Sequence, residues 1–249
     1  AMDLSSVLDL PEKLSSASGG KPIVIAFDEF QEVADISKEF PLEKIFRSCI
    51  QAHRNVRYVF LGSKTHLMKR MFGDATRPFY NSALPMPLKK PPMEASKDFI
   101  VTRFQNSGIS IASEVADEIL SVSENIPYYL QAIAALTFEK AAEGDRKEIR
   151  LADVEIAAQN FVGINSELYE ERLSGLSDAK RAIIEALAKE PVDRFTDDYR
   201  MRHSLPVTST LHTALSEMMD VGIVEKTDSV IRVSDPFFTR YILKSVDIV

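Results

Sequence analysis

The 249-residue sequence predicts a helix-rich protein in which an incomplete α/β domain with a parallel sheet precedes an all-α bundle and a C-terminal winged helix. A helical segment, 41–53, joins two apolar strands at 23–27 and 56–61, and this order implies parallel strands connected by a crossover. Residues 93–162 show helical periodicity throughout. Helical patterns followed by two short strands, between 177 and 233, match the order of a winged helix.

Prolines and changes of pattern divide the chain. Lys89-Lys90-Pro91-Pro92 interrupts both helix and sheet, so it predicts the first boundary. We therefore expect three domains, at 1–90, 91–167 and 168–249. The segment 83–88 has a strand-like apolar alternation, but its two prolines restrict it to an edge strand or an irregular stretch.

The individual elements follow from apolar spacing and from turn residues. In the bundle, the pattern predicts helices at 94–106, 112–122, 127–142 and 151–162. In the last part of the chain, it predicts helices at 177–189, 196–203 and 206–220, strands at 223–226 and 230–233, and a final helix that Asp235 caps and Pro236 begins.

Composition favours an ordinary cytoplasmic protein. The net charge is −7, the charged fraction is 27%, and no apolar run approaches the length that crosses a bilayer, so we expect no membrane association. The single cysteine, Cys49, excludes an internal disulfide and is typical of a reducing compartment. No long segment is strongly basic, which disfavours a protein whose main task is to grip nucleic-acid phosphates.

Two adjacent acids, Asp28 and Glu29, directly follow the first apolar strand. Ligands of parallel sheets gather at the carboxyl ends of the strands, and Ser63 follows the second strand, so its side chain would face the same crevice. In P-loop NTPases, a first acid at this position holds Mg²⁺ and a second can polarise the attacking water. The alternative is that both acids are solvated side chains at an ordinary strand end.

The loop that such a strand normally serves does not occur in this sequence. It requires Gly, four residues, and then Gly-Lys-Ser or Gly-Lys-Thr, because glycines let backbone N–H groups approach the phosphates. Of nine glycines, only Gly20 precedes a lysine; position 15 is serine and position 22 is proline. The two acids therefore have no phosphate-binding partner within these residues.

Five motifs, taken in order along nearly the whole chain, resemble the archaeal-type ATPases of the STAND group, which belong to the AAA-like P-loop NTPases, and their bacterial relatives. They are the Walker B strand at 23–31, the sensor 1 strand at 59–63, Arg77-Pro78-Phe79-Tyr80 with the strand-like 84–88, Ile126-Pro127-Tyr128-Tyr129-Leu130 in a helical lid, and Asp235-Pro236-Phe237-Phe238 after the winged helix.

This resemblance implies ATP and Mg²⁺ as cofactors and gives roles to six residues. It assigns Mg²⁺ coordination to Asp28, the hydrolytic base to Glu29, γ-phosphate sensing to Ser63, phosphate contact to Arg77, and the lid turn near the nucleotide base to Asn125 and Pro127. Relatives usually carry glycine where Asn125 stands, and asparagine tolerates the left-handed backbone that glycine would adopt.

The resemblance also implies that an amino-terminal strand, P-loop and helix precede these residues in relatives, about a hundred residues by the size of such units. We therefore expect an N-terminally truncated ATPase, weak or inactive alone, whose open sheet edge causes rearrangement or self-association. The alternative is a non-enzymatic module that binds protein or DNA through the helical and winged-helix parts.

DNA is the less favoured partner because of the predicted recognition helix. Its exposed positions carry no lysine or arginine, although phosphate contact and guanine recognition favour both. These positions are Ser209, His212, Thr213, Ser216, Glu217 and Asp220. A modest basic cluster, formed by Arg194, Arg200, Arg202 and His203, precedes the helix.

Overall fold

The structure is a computed structural model that describes residues 4–144 and 146–246, and in these residues it contains fourteen helices and four strands. Contacts divide it into two compact units, of which the first ends at Pro87 and the second begins at Leu88. No described helix is both long enough and apolar enough to cross a bilayer.

The first unit alternates helices and strands. Its elements are α1 (Leu4–Leu8), α2 (Leu10–Ala17), β1 (Ile23–Phe27), α3 (Glu32–Ile36), α4 (Leu42–Ala52), β2 (Val56–Phe60) and α5 (Thr65–Gly73). Strands β1 and β2 pair in parallel, with Ile23 opposite Val56 and Phe27 opposite Phe60. The predicted α/β arrangement is confirmed, because α3 and α4 form the connection between the two parallel strands.

An aromatic cluster forms the core of this unit on one face of the sheet. Phe30 lies at its centre, with its ring centroid 4.4 Å from that of Phe60, 5.1 Å from that of Phe79 and 6.0 Å from that of Phe46. All four rings come from different elements or turns, so the cluster joins β2, α4 and the segments that follow β1 and α5. Its position fixes the two turns at the carboxyl ends of the strands.

The opposite face of the same sheet is not covered in the described structure. Val24 is 67% exposed, and Val59 and Leu61 are exposed beside it, although parallel strands normally bury both faces. Among the described residues, each strand pairs only with the other. The segment 83–88 is irregular rather than a strand, and its prolines account for this because they cannot donate to a ladder.

The second unit begins with helices and ends with a helix–hairpin arrangement. Its elements are α6 (Met93–Asn106), α7 (Ser113–Val122), α8 (Pro127–Glu143), α9 (Leu151–Ile164), α10 (Ser166–Ser174), α11 (Asp178–Lys189), α12 (Asp197–Arg202), α13 (Thr208–Asp220), β3 (Val224–Thr227), β4 (Val230–Val233) and α14 (Pro236–Val246).

The winged helix predicted from the sequence is confirmed. Strands β3 and β4 pair antiparallel, with Val224 opposite Val233, and an isolated bridge adds Val192 beside Ile231. The carboxylate of Asp235 caps the last helix, since its Oδ1 accepts hydrogen bonds from the backbone N–H groups of Phe237 and Phe238 at 2.9 and 3.0 Å. The capping role predicted for this aspartate is therefore confirmed.

One continuous apolar core connects the bundle helices to the winged helix. The ring centroid of Phe237, in α14, lies 4.6 Å from that of Phe161 in α9 and 5.0 Å from that of Tyr129 in α8. Phe238 stacks on Tyr169 of α10 with 5.4 Å between centroids. Residues from α6 to α14 belong to the same buried cluster, so the second unit has a single core.

Four helices were missed by sequence patterns: α1, α2, α3 and α10. The first three are short, and only eight residues form the longest of them, so their periodicity is weak. Helix α10 has a charged sequence, SELYEERLS, and buries only Tyr169 and Leu173. Tertiary contacts at these two positions, rather than an apolar stripe, define this helix.

Candidate functional site

Three of the six candidate residues meet at the carboxyl ends of β1 and β2. The Ser63 hydroxyl donates a hydrogen bond to Oε2 of Glu29 at 2.9 Å, and the backbone N–H of Glu29 donates to Oδ1 of Asp28 at 2.9 Å. All three residues are exposed. The structure thus brings together the side chains that follow the two strands, as their positions in a parallel sheet predict.

The turn after β1 has an unusual backbone. Glu29 has a φ of +48°, in the left-handed region that non-glycine residues rarely adopt, at a cost of about 1 kcal/mol. Hydrogen bonds from Leu61 N–H to Phe27 O and from Phe30 N–H to Leu61 O, both 2.8 Å, enforce this turn by tying it to the end of β2. Such conformations concentrate at functional sites.

Two further residues lie close to this turn: Gln31 contacts Glu29, and Lys64 contacts the first residue of α3. Gln31 is fully buried, and its Nε2 donates a hydrogen bond to the same Oε2 of Glu29. Lys64 lies beside the turn and donates to Oε1 of Glu32 at 2.9 Å. The hydrogen bond to Glu32 raises the pKa of Lys64, and the negative charges of Asp35 and Glu29 act in the same direction.

Arg77 is held within the first unit by an ion pair. Its Nη2 donates to Oε1 of Glu43, a carboxylate that is buried on α4. Burial raises the pKa of Glu43, and the nearby guanidinium of Arg77 partly opposes that rise. Among the contacts that the structure describes, none joins Arg77 to Asp28 or Glu29.

Asn125 and Pro127 belong to the second unit. Asn125 is buried with a φ of +54°, so it adopts the left-handed backbone that its side chain tolerates. Its Nδ2 donates to the backbone oxygen of Pro91 at 2.7 Å, which ties the turn before α8 to the start of this unit. Pro127 is the exposed first residue of α8.

The residues at the carboxyl ends of the strands suit a magnesium ion that is bound together with a nucleotide. Mg²⁺ takes oxygen ligands and is usually held by one or two carboxylates plus substrate phosphates and water. Asp28, Glu29 and Ser63 supply two carboxylates and a hydroxyl in one place. The described residues contain no group of three or more His, Cys, Asp or Glu side chains arranged for a metal, so an all-protein cage is not present there.

Comparison with known proteins supports the C-terminal winged helix and the fold of the chain as a whole. A family model described as a probable winged helix domain matches residues 167–244. The search of curated proteins returns no match. The Walker-type ATPase PABY2304 of Pyrococcus abyssi is similar in structure, with a TM-score of 0.71 and 17% sequence identity, over 97% of this chain and 68% of that chain.

The ORC2 protein of Aeropyrum pernix, in its ADPNP–ADP complexes, is also similar, with a TM-score of 0.61 and 13% identity, over 97% of this chain and 71% of that chain. At these identities the likeness establishes the fold. The chain shares the fold of these two structures, of which one is described as a Walker-type ATPase and the other as ADPNP–ADP complexes, and it ends in a winged helix.

Proposed function

We propose that this chain is part of an AAA/STAND-type ATPase, in which ATP binding and hydrolysis drive a conformational switch. The observation that supports the proposal most strongly is the convergence of Asp28, Glu29 and Ser63 at the carboxyl ends of two parallel strands, in a chain with a P-loop ATPase-like fold. Carboxylates and a hydroxyl in that place suit the magnesium-bound end of a triphosphate.

Each residue then has a distinct task. Asp28 holds Mg²⁺, which supplies the charge that offsets the phosphates, and Glu29 orients the attacking water and accepts its proton. Ser63 senses the γ-phosphate, and it also holds Glu29 by the hydrogen bond to Oε2. Asn125 and Pro127 shape the lid turn near the nucleotide base. Arg77 contacts a phosphate with the guanidinium donors that its pair with Glu43 through Nη2 leaves available.

The phosphate loop has to come from outside these 249 residues, because the sequence contains no Gly-rich Lys-Ser/Thr segment. Without its backbone N–H groups and lysine, Mg·ATP loses most of its anchoring. We therefore expect weak binding and little or no hydrolysis by this chain alone, and full activity only where an amino-terminal P-loop unit is present. We place the protein in the cytoplasm, in keeping with its single cysteine.

Thermal unfolding with Mg·ATP tests this proposal. Millimolar Mg·ATP is expected to raise the Tm by about 2–4 °C, because a ligand that binds only the folded state stabilises it. Asp28→Asn is expected to remove most of this rise, since it weakens the hold on Mg²⁺, and Glu29→Gln is expected to change its size.

Glu94→Gln is the matched control, because Glu94 is an exposed acid in the first turn of α6 and belongs to the second unit. Its response to Mg·ATP should equal that of the unmodified chain. If millimolar Mg·ATP leaves the Tm of the unmodified chain unchanged, the nucleotide proposal fails and the binding-module alternative takes its place.

A non-enzymatic binding module is the second candidate, and the winged helix favours a protein partner over DNA. The six predicted positions on α13 are all exposed and include neither lysine nor arginine. Two arginines of the nearby cluster are neutralised: Arg202 pairs with Glu190 at 2.8 Å, and Arg200 pairs with Asp197 at 2.9 Å. In a gel shift with duplex DNA, we expect no salt-dependent complex.

Self-association is a further part of the proposal, and the uncovered sheet face supports it. Val24 and Val59 on the strands, and Leu61 directly after β2, expose apolar surface, although parallel strands are normally covered on both faces. Light scattering is expected to show dimers or larger species that Val24→Lys disrupts, because a charge there opposes burial. A monodisperse monomer with ordinary thermal stability would contradict this expectation.

A further inference from the structure

A buried glutamine lies directly beneath the candidate site. Gln31 has no exposed surface, yet its side chain carries two donors and an acceptor that water cannot reach. Its Nε2 donates to Oε2 of Glu29, while its Oε1 is buried without a described hydrogen-bond partner. Burial of an amide costs free energy unless its polar atoms form hydrogen bonds. The hydrogen bond to Glu29 is the main described contact that offsets this cost.

The neighbouring turn leaves room for this amide. Gly62 follows β2, and a Cβ atom placed there would overlap Oε1 of Gln31 and lie 2.6 Å from Sδ of Met68. The backbone of Gly62 does not adopt a positive φ, so conformational freedom does not explain the glycine. Space for the Gln31 amide and the Met68 side chain does explain it, because a side chain at this position would displace one or both of them.

The Glu29 carboxylate is held from two sides. Gln31 reaches Oε2 from the start of α3, and Ser63 reaches the same atom from the turn after β2. The left-handed backbone of Glu29 brings the carboxylate to the point where both donors meet. Both described donors use Oε2, and this leaves Oε1 to accept a hydrogen bond from a third donor such as water.

We infer that Gln31 is a positioning residue for Glu29, and that Gly62 preserves the space in which the Gln31 amide does this. The contact itself is a property of the nucleotide-free chain. Its consequence for catalysis rests on the proposed function: a carboxylate with one oxygen occupied by two donors presents the other in a fixed direction, as an oriented base requires.

A purely structural role for Gln31 predicts a different result. If the glutamine only filled space, an apolar residue of similar size would replace it without affecting Glu29, and removal of the Glu29 carboxylate would leave the Gln31 amide unchanged. The side-chain amide protons of Gln31 report on the contact directly, because their chemical shifts and exchange with water depend on their acceptor.

The experiment is proton–nitrogen NMR of the nucleotide-free chain with Glu29→Ala. Loss of the charged acceptor is expected to shift the Gln31 side-chain amide signals and to speed their exchange with water by about tenfold. Glu32→Ala is the matched control, because Glu32 is an acid next to Gln31 in the sequence but pairs with Lys64. Unchanged Gln31 signals in Glu29→Ala would overturn the inference.

A second pair of variants tests the role of the glycine. Gly62→Ala is expected to shift the Gln31 amide signals in the same way, whereas Gly73→Ala is the control, since no atom lies within 4 Å of a Cβ placed there. Should Gly62→Ala not fold, Gln31→Leu keeps the volume and removes the donor. Unaltered Glu29 side-chain signals in Gln31→Leu would overturn the inference.

The same Gln31→Leu variant separates this inference from the proposed function. The rise in Tm that Mg·ATP causes is expected to differ from that of the unmodified chain in Gln31→Leu, and the difference should have the same sign as the one measured for Glu29→Gln. If the unmodified chain shows no Mg·ATP response, the proposed function fails, while the amide signals in the absence of nucleotide still decide whether Gln31 holds Glu29.

Discussion

Phe30→Ala is expected to unfold the first unit at temperatures where the unmodified unit is stable. The Phe30 ring is almost fully buried and contacts rings from β2, α4, α5 and the segment after α5. Removal of such a ring costs about 3–5 kcal/mol, through lost burial and the cavity left behind. That is a large part of the stability of a small domain, about 5–15 kcal/mol.

Hydrogen exchange measures this effect where it occurs. Backbone amides of β1 and β2 should lose most of their protection in Phe30→Ala, because both strands rest on the aromatic cluster. Phe40→Ala is the matched control, since Phe40 is 46% exposed and its loss should change stability by about 0.5 kcal/mol or less. Retained strand protection in Phe30→Ala would show that another contact holds this unit together.

Phe237→Ala is expected to destabilise the bundle and the winged helix together. The side chain is fully buried in α14 and packs on Tyr129 and Phe161, which belong to α8 and α9. We expect a loss of about 3–5 kcal/mol in the free energy of unfolding. Because the core is continuous, the loss should extend across the second unit rather than stay in the C-terminal helix.

The distribution of hydrogen exchange distinguishes these outcomes. Amides of α8 and α9 should lose protection by amounts similar to those of α11 and α13. Phe99→Ala is the control, because Phe99 is 47% exposed on α6. If only the winged-helix amides lose protection, the bundle and the winged helix fold as separate units, as the domain prediction of 91–167 and 168–249 would have it.

Sequence patterns predicted the elements that have strong periodicity. Strands β1 and β2, their parallel pairing, the bundle helices and the winged helix all follow from apolar spacing over enough residues to be distinctive. Helix α10 could not be found in this way, because its two buried side chains, Tyr169 and Leu173, do not form a stripe. Its position depends on contacts with distant residues.

The part of the candidate site that lies at the ends of the two strands could be predicted from the sequence. Glu29 and Ser63 are 34 positions apart, but both follow strands of one parallel pair, so their meeting follows from topology. The pairing of Arg77 with Glu43 depends instead on how α4 packs against the segment after α5, and local patterns carry no signal for it. In the sequence, Gln31 stood out only as the last residue of the segment 23–31, which resembles a Walker B motif.

We propose above all that Asp28, Glu29 and Ser63 hold the metal-bound end of a nucleotide. Paramagnetic broadening with Mn²⁺ in place of Mg²⁺ tests it most directly, because Mn²⁺ broadens NMR signals near its binding site even when binding is weak. With Mn·ATP, the amide signals of these three residues should broaden first, and Asp28→Asn should abolish the effect. Broadening confined to other acidic surfaces, such as that of Glu167, Glu170 and Glu171 on α10, with the Asp28 signal unchanged, would contradict the account.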